Sequence, residues 1–354
     1  MFTVTINSGN EDFNTISYYI VKLTKYTKTE LDDHDYILAD DVEMSFMYKK
    51  IKINVKTYRS KEIVGLQYRP VYIRYLELSS DIKTIQKFIK KAHDVYYKDH
   101  FYKENTISIW TPAEGRWNFY ANLKMRDVDS VILDNGIKED IINDLEQFNK
   151  NENIYNKYGI PYKRVYCLYG PPGTGKSSII FTIASKFKKN IAMLNFGSGI
   201  TDSSFIKLMA NLPNNTILLL EDIDALFSSR ESISKSDNGF LSFSTLLNIL
   251  DGNLRVEGLC TFMTTNHPEK LDSALLRKGR VDYMVKIDYI SKYQIEHFAK
   301  MYYPNITKKQ LDEYIGYLSK IKNLTSSQLS SFMFLHLNIP FDELMTNIKK
   351  EFKK

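Results

Sequence analysis

The stretch GPPGTGKS, at Gly170–Ser177, decides the fold of this chain of 354 residues. It fits the pattern G-x-x-x-x-G-K-[S/T], with an apolar run at 164–169 before it and an amphipathic run at 177–187 after it. Backbone N–H groups must converge on a bound phosphate chain, and glycines allow a loop to curl that tightly. The N-terminus of a following helix adds partial positive charge. Strand, glycine loop and helix in this order predict a phosphate-binding loop.

Each residue of this loop is a candidate for nucleotide binding. We expect the ammonium group of Lys176 to reach the β- and γ-phosphates of a bound nucleotide, and the hydroxyl of Ser177 to hold Mg²⁺. Lys176 is also a catalytic candidate, because it would face the phosphates that react. The candidate nucleotide-binding residues of the loop are Gly170, Pro171, Pro172, Gly173, Thr174, Gly175, Lys176 and Ser177.

A pair of carboxylates follows a second apolar run, Ile217–Leu220. An apolar strand that ends in acidic residues beside a phosphate loop is the Walker B arrangement. One carboxylate anchors Mg²⁺, and its neighbour orients or deprotonates the attacking water. By position we expect Glu221, with Ser177, to serve the metal and Asp222 to serve the water. The usual order is Asp then Glu, and Asp is shorter by one methylene, so the opposite assignment stays open.

Three further residues complete a constellation for hydrolysis. Asn266 ends the next apolar run, where its amide can reach the γ-phosphate and the water. Arg277 and Arg280 follow in LDSALLRKGRVD, and guanidinium groups suit the charge that spreads over a phosphoryl transition state. We expect both arginines to project toward a neighbouring subunit, so that a ring completes each site. The candidate catalytic residues are Lys176, Glu221, Asp222, Asn266, Arg277 and Arg280.

The second half of the chain alternates between strand and helix patterns. Continuous apolar runs without polar alternation are typical of buried parallel strands, and helical stretches separate them. The runs lie at 164–169, 216–221 and 260–266, and the helical stretches at 176–187, 202–211 and 240–250. After residue 291 the pattern is helical to the end. This order predicts an α/β fold with a parallel sheet, followed by a helical lid.

The first part of the chain is expected to form an α+β domain that ends near residue 130. Alternating apolar residues at 51–78 predict strands, and apolar residues at helical spacing predict a helix near 81–98. The segment 107–123 reads as a hairpin with Gly115 in its turn. The residues before 51 give no clear pattern.

Composition limits the class of protein. The chain holds 43% hydrophobic and 25% charged residues, which is the balance of a globular protein. Two cysteines in apolar stretches predict buried free thiols and a reducing compartment. No run approaches the roughly 20 apolar residues of a membrane-spanning helix, and the N-terminus lacks the features of a presequence. We therefore expect a soluble intracellular protein, located in the cytoplasm.

The formal net charge of +6 is unevenly distributed. Residues 51–103 hold 12 Lys and Arg against 5 Asp and Glu, whereas residues 1–50 hold 5 against 9. A basic segment is typical of a nucleic-acid surface, but the same charges also suit an ordinary solvated face. A nucleic-acid-associated motor therefore stays open as an alternative function.

Four segments, GPPGTGKS, ILLLEDIDALF, MTTN and ALLRKGRVD, resemble in order and spacing those of the AAA ATPases. The reversed Glu221–Asp222 pair and the segments 130–148 and 243–253 are closest to one subgroup. That subgroup is the mitochondrial chaperone for respiratory complex III assembly, which moves a folded iron–sulfur protein across a membrane. The resemblance implies a P-loop nucleoside triphosphatase that uses ATP and Mg²⁺ in a ring of six or seven subunits. It also implies an adenine pocket that includes Gly136.

The resemblance divides the chain into an N-terminal α+β domain at 1–130, an AAA core at 131–290 and a helical lid at 291–354. We expect the chain to lack the membrane helix of the mitochondrial relative. The segment 196–209 lacks the aromatic–apolar–glycine tripeptide with which unfolding machines grip a chain. The sequence therefore predicts an ATP-driven ring that remodels or relocates a protein client, and no motif names the client.

Overall fold

The computed structural model describes most of the chain. The described residues are 2–8, 11–25, 29–32, 35–63, 70–100, 104–113, 115–196, 200–226, 241–252 and 256–352. They fall into two compact units, Met1–Glu104 and Asn105–Lys354. Among these described residues, buried side chains form a hydrophobic core in the first unit and separate cores around the sheet and among the C-terminal helices of the second.

The first unit packs helices against an antiparallel sheet. Its elements are β1 (Phe2–Asn7), α1 (Glu11–Thr24), β2 (Thr29–Asp32), β3 (Asp35–Leu38), β4 (Glu43–Tyr48), β5 (Ile51–Ile63), β6 (Pro70–Ser80) and α2 (Ile82–His100). The sheet has the order β1-β6-β5-β4, while β2 pairs with β3. The strands expected at 51–78 and the helix expected near 81–98 are confirmed as β5, β6 and α2.

The core of the first unit follows from the periodicity of these elements. Val55 of β5 and Leu78 of β6 are paired across the sheet, and both are buried. Residues two apart in a strand share a face, so the alternation directs one apolar row toward the helices. Ile85 and Phe88 of α2 are fully buried in the same cluster.

The second unit contains a seven-stranded sheet with helices around it. Its elements are β7 (Thr106–Ala113), β8 (Arg116–Lys124), α3 (Ile137–Lys150), α4 (Glu152–Tyr158), β9 (Lys163–Tyr169), α5 (Lys176–Lys186), β10 (Asn190–Asn195), α6 (Asp202–Ala210), β11 (Thr216–Glu221), α7 (Phe243–Leu250), β12 (Leu259–Thr265), β13 (Tyr283–Lys286), α8 (Lys292–Tyr302), α9 (Lys308–Leu318), α10 (Ser326–Leu335) and α11 (Phe341–Glu351). The sheet order is β13-β9-β12-β11-β10-β7-β8. All neighbouring strands are parallel except β7 and β8, which form an antiparallel pair.

The parallel strands expected from the apolar runs are confirmed as β9, β11 and β12. Residues Ile217–Leu220 of β11 are fully buried, which explains the lack of polar alternation. Cys167 and Cys260 are buried free thiols, as expected, and burial raises the pKa of each to about 12. The sequence patterns did not predict strand β10. Its apolar run is short, because Asn190 and Asn195 bound it.

The β7–β8 hairpin differs from expectation in its place in the fold. Its turn contains Gly115 with a φ of +76°, as expected. Its strands, however, join the large sheet, where Ile109 pairs with Ile191 of β10. The indole N–H of Trp117 also donates to the carbonyl oxygen of Leu208 at 2.8 Å. These contacts place the hairpin in the second unit, while the domain boundaries inferred from the sequence remain predictions.

The region after residue 291 is helical, as predicted. The N-cap residues of α8, α9 and α10 are Ser291, Thr307 and Thr325. Each side chain accepts a hydrogen bond from the backbone N–H three residues further on. Tyr314 is fully buried in the core of this helical region.

Candidate functional site

Three neighbouring strands bring the candidate residues to one edge of the sheet. In the sheet order, β12 lies between β9 and β11. The phosphate loop follows β9, Glu221 ends β11 and Asn266 follows β12. The carboxyl ends of parallel strands meet at one edge, which is where ligands bind in open α/β sheets. The topology therefore converts three distant sequence segments into one site.

A cavity of about 450 Å³ opens at this edge. This volume lies within the range of roughly 300–1,000 Å³ that is typical of small-molecule sites. The walls come from the phosphate loop, the ends of β11 and β12, the segment before α3 and the helical region. The lining residues are 172–178, Glu221, Asp222, Thr264, Asn266, Arg126, 130–132, Phe298, Ser326, Ser327 and Ser330.

Gly170 explains why the loop begins with glycine. Its φ is +143°, and a Cβ atom at this position would lie 2.0 Å from the carbonyl oxygen of Ile287. No side chain fits at that distance, so the first turn of the loop requires glycine. Glycine therefore lets the loop leave β9 in close contact with the backbone of Ile287.

Lys176, the first residue of α5, lies in the wall of the cavity. Its Nζ donates to the carbonyl oxygen of Gly170 at 2.8 Å and to Oδ1 of Asn266 at 2.7 Å. Burial lowers the pKa of Lys176, while the charges of Asp222 and Asp224 act in the opposite direction. The side chain is thus a buried cation surrounded by oxygen acceptors, a setting that suits a phosphate oxygen as a further partner.

Ser177 and Glu221 join the loop to β11. The hydroxyl of Ser177 donates to Oε1 of Glu221 at 2.8 Å. Among the described residues, no group of three or more His, Cys, Asp or Glu side chains could hold a metal ion by itself. Mg²⁺ commonly takes one or two protein oxygens and completes its shell with water and phosphate. The adjacent hydroxyl and carboxylate oxygens therefore fit a Mg²⁺ ion that arrives with a nucleotide.

Asp222 has a backbone conformation that is uncommon outside glycine, with a φ of +49°. Its N–H donates to Oγ1 of Thr264 at 3.1 Å, and its Oδ1 accepts a bond from Nδ2 of Asn266 at 3.4 Å. Thr264 is 2% exposed. The end of β12 therefore holds both the backbone and the carboxylate of Asp222.

Sequence reasoning missed the two threonines before Asn266. Thr264 binds the backbone of Asp222, and Oγ1 of Thr265 donates to Oδ1 of Asp224 at 2.7 Å. The signal was the pair of hydroxyls at the end of an apolar strand, because a buried hydroxyl needs a hydrogen-bond partner.

The part of the cavity lining that comes from the segment before α3 differs from the expected adenine pocket. Val131 and Ile132 line the cavity, whereas Gly136 is not among its described lining residues. Gly136 is instead the N-cap of α3, with a φ of +82°. The chain has therefore left the cavity wall before it reaches Gly136, whose role in nucleotide binding stays a prediction. Arg126 also lines the cavity, and no sequence pattern had indicated it.

The helical region reaches the same cavity. Ser326 and Ser327, at the start of α10, line it together with Phe298 of α8. The N–H of Ser327 donates to the carbonyl oxygen of Gly173 in the phosphate loop at 3.0 Å. The helical region therefore contacts the phosphate loop, and its role as a lid over the nucleotide stays a prediction.

The two arginines lie apart from the cavity of their own chain. Neither Arg277 nor Arg280 is among its described lining residues. Arg277 is exposed. Arg280 binds Asp251 through two hydrogen bonds, from Nε at 2.7 Å and from Nη2 at 2.9 Å. The structure therefore brings together the other four catalytic candidates and leaves these two outside the group.

The class of protein that this fold and site define is the P-loop nucleoside triphosphatase. Comparison with known families narrows the class, since residues 166–289 match the ATPase family associated with various cellular activities (AAA). The matched segment runs from β9 to just beyond β13, and so includes every strand that contributes to the site.

Curated relatives extend the similarity over nearly the whole chain. The chain is 30% identical to the probable mitochondrial chaperone BCS1-B of Dictyostelium discoideum, over 99% of this chain and 86% of the relative. It is 31% identical to the human mitochondrial chaperone BCS1, over 83% of this chain and 72% of the relative. It is 29% identical to the Danio rerio mitochondrial chaperone BCS1, over 96% of this chain and 86% of the relative. The chain therefore belongs to the AAA ATPase family, within the group of BCS1-type chaperones.

None of the described helices combines the length and the apolarity that a membrane-spanning helix requires.

Proposed function

We propose that this chain hydrolyses ATP to ADP and phosphate as a subunit of a ring, and that the ring remodels or relocates a protein client. Membership of the AAA family supports nucleotide hydrolysis. The chaperone names of the relatives support a protein client. The observation that carries the proposal is the chain of hydrogen bonds Lys176–Asn266–Asp222, which links the phosphate loop to the ends of β12 and β11.

In this proposal each side chain acts on one part of the reaction. The water oxygen attacks the γ-phosphorus while the bond to the β–γ bridging oxygen breaks. Asp222 orients this water and accepts its proton, and Asn266 holds the carboxylate of Asp222 in place. Lys176 offsets negative charge on the β- and γ-phosphate oxygens, an effect that is strong at a partly desolvated site.

Ser177 and Glu221 would hold Mg²⁺ in this scheme. When bound, the ion neutralises part of the charge on the β- and γ-phosphates. Glu221 is the carboxylate that contacts Ser177, whereas Asp222 contacts Asn266. These separate contacts support the metal role for Glu221 and the water role for Asp222, rather than the reverse.

A neighbouring subunit would supply positive charge from the segment that carries Arg277 and Arg280. Both arginines lie outside the described lining of the cavity in their own chain, which supports a contribution in trans. Each cavity would then be complete only within a ring.

The client is proposed to be a protein that is not threaded through the ring. The segment 196–209 lacks the tripeptide with which unfolding machines grip a chain, and Phe205 in this segment is fully buried. The cytoplasmic location expected from the sequence stays a prediction, and the named BCS1 relatives are described as mitochondrial.

Phosphate release from ATP by the purified chain tests the enzymatic proposal. We expect Lys176→Ala to lower kcat by about 10²–10³-fold, the loss typical of one preorganised charge donor. Lys320→Ala is the matched control, because Lys320 is an exposed lysine in the helical region. It should retain the parental rate. Equal rates for the parent and Lys176→Ala would contradict the proposal.

The client can be sought with a ring that binds ATP without hydrolysing it. An Asp222→Asn ring with ATP should retain a protein that the Lys176→Ala ring releases, and mass spectrometry would identify it. Retention of the same proteins by both variants would contradict nucleotide-dependent client binding.

A second candidate function is a motor that acts on nucleic acid. Its specific support is the exposed lysines of α2, which are Lys83, Lys87, Lys90 and Lys91. Binding through phosphates would weaken steeply as salt rises. ATPase stimulation by DNA or RNA with that salt dependence would favour this function over a protein client, and its absence would remove it.

A further inference from the structure

We propose that the two arginines after β12 have separate roles. Arg277 is the residue presented to the neighbouring subunit, whereas Arg280 is a positioning residue that holds the arginine loop, residues 274–282, through Asp251. This inference rests on the proposed ATPase function and divides a task that the sequence assigned to both arginines.

All three nitrogen atoms of the Arg280 guanidinium group donate a hydrogen bond. Nε and Nη2 donate to the two carboxylate oxygens of Asp251 at 2.7 and 2.9 Å. Nη1 donates to the carbonyl oxygen of Ala274 at 2.8 Å. The side chain of Arg280 is 19% exposed and that of Asp251 is 34% exposed. A planar fork bound on both edges is a geometry that lysine or a mobile arginine does not reproduce.

Further contacts fix the rest of the arginine loop to β9. Nζ of Lys163 donates to the carbonyl oxygen of Gly279. Asp282 is bound twice to Val165, because its N–H donates to the carbonyl oxygen at 2.9 Å and its Oδ2 accepts from the N–H at 2.8 Å. Strand β9 leads directly into the phosphate loop. The arginine loop is therefore anchored to the strand that positions the phosphates in the same chain.

Arg277 differs from Arg280 in its exposure and in its contacts. Its side chain is exposed, and none of the ion pairs between described residues includes it. It lies between two anchors, Ala274 and Gly279, that Arg280 and Lys163 hold. A free guanidinium on a fixed loop suits a phosphate group that another subunit presents.

Asp251 connects the arginine loop to a second element. It is the C-cap of α7, and its N–H donates to the carbonyl oxygen of Leu247 at 2.8 Å. The bond between Arg280 and Asp251 therefore sets the distance from the end of α7 to the loop that carries Arg277. Loss of either partner should loosen the loop near Ala274, and neither Asp251 nor Arg280 is among the described lining residues of the cavity.

A double-mutant cycle on the full chain separates the two roles. We expect Arg277→Ala to lower kcat by about 10³-fold or more, the loss that follows removal of an arginine supplied in trans. Arg280→Gln and Asp251→Asn should each lower kcat by about 10–100-fold, the cost of misplacing a catalytic group. The double variant Arg280→Gln/Asp251→Asn should lose no more kcat than the more impaired of its two single variants. The KM for ATP should stay at the parental value in all four variants.

A mixing experiment distinguishes positioning in trans from a merely structural role. Subunits with Asp251→Asn or Arg280→Gln keep an intact cavity, so mixing them with Lys176→Ala subunits, which keep intact arginines, should restore phosphate release. Arg164→Gln is the matched control, because Arg164 forms a comparable pair with Asp144 within one chain. It should lower the melting temperature and show no recovery on mixing.

Two results would overturn the inference. One is parental kcat in Asp251→Asn together with a loss in Arg280→Gln as large as that in Arg277→Ala, since Arg280 would then act on the phosphate directly. The other is additive losses in the double variant. A parental chain without phosphate release would instead defeat the proposed function, and the inference with it, so the two failures are distinguishable.

Discussion

The two units of this chain use buried polar side chains in different ways. In the first unit, the hydroxyl of Thr57 donates to the carbonyl oxygen of Ala39 at 2.6 Å and accepts from the N–H of Val42 at 3.0 Å. In the second unit, Lys176 and Thr264 are also buried, but their bonds lead to other residues of a cavity wall. A buried polar side chain whose hydrogen bonds go only to the backbone stabilises the fold. Buried side chains that are hydrogen-bonded to one another around a cavity instead prepare a reaction site.

The largest effect should come from the carboxylates of the second unit. Asp222→Asn removes the group proposed to accept a proton from water, so we expect kcat to fall by about 10²–10⁴-fold with ATP binding retained. Glu221→Gln should instead raise the Mg²⁺ concentration needed for half-maximal activity. Phosphate release measured across a Mg²⁺ titration checks both. A stronger Mg²⁺ effect in Asp222→Asn than in Glu221→Gln would reverse the two roles.

Thr264 should give a smaller effect on the same reaction. Thr264→Val keeps the side-chain shape but removes the acceptor for the N–H of Asp222, which costs about 1–3 kcal/mol for a buried donor left unsatisfied. We expect kcat to fall by about tenfold, because the backbone of Asp222 is released from its left-handed conformation. Thr264→Ser is the control and should recover most of the rate. Equal rates in the two variants would show that the hydroxyl is not needed.

Thr57 should show the opposite behaviour. Thr57→Val leaves the N–H of Val42 and the carbonyl oxygen of Ala39 without this partner, so the free energy of unfolding of the first unit should fall by about 1–3 kcal/mol. The ATPase rate below the melting temperature should stay at the parental value. Urea unfolding followed by tyrosine fluorescence, with a parallel ATPase assay, measures both. A large loss of kcat without loss of stability would break the comparison between the units.

Asp144 should give the smallest effect, visible only in acid. Burial acts to raise the pKa of its carboxyl group, but hydrogen bonds from Arg164, Tyr166 and Tyr283 lower this pKa below its usual value. Such a group stabilises the folded chain above the usual carboxyl pKa of about 4, and its contribution is lost as the pH falls through the lower folded value. We expect the free energy of unfolding to fall less steeply below about pH 4 in Asp144→Asn than in the parent.

This prediction is checked by measuring the free energy of unfolding of the parent and of Asp144→Asn at several pH values below about 4. The slopes should differ by at most about 1.4 kcal/mol per pH unit, the limit for one proton. Identical slopes would show that the carboxyl group of Asp144 keeps its ordinary pKa in the folded chain.

Local sequence motifs located several residues that the fold brings to one edge of the large sheet, while their chemical roles stay predictions. The glycine loop and the run that ends at Glu221 and Asp222 contain residue types that phosphate chemistry requires at fixed spacing. The continuous apolar runs likewise predicted buried parallel strands, because both faces of the sheet are covered. These features need no knowledge of remote parts of the chain.

The remaining features depend on contacts between distant segments. The β7–β8 hairpin reads correctly as a hairpin, but its pairing with β10 decides which unit it joins. The bond between Arg280 and Asp251 joins residues 29 positions apart, so no local pattern contains it. In the first unit, α1 and β1–β4 are formed from short apolar segments with little periodicity. Packing in the shared core stabilises these elements.

The central claim is that a ring of these subunits completes each ATPase site. The direct measurement is phosphate release per subunit as a function of protein concentration, with the oligomeric state followed by light scattering in the same samples. We predict that the rate per subunit rises in step with ring assembly, and that Arg277→Ala rings assemble without this rise. A constant rate per subunit down to concentrations at which the chain is monomeric would contradict the claim.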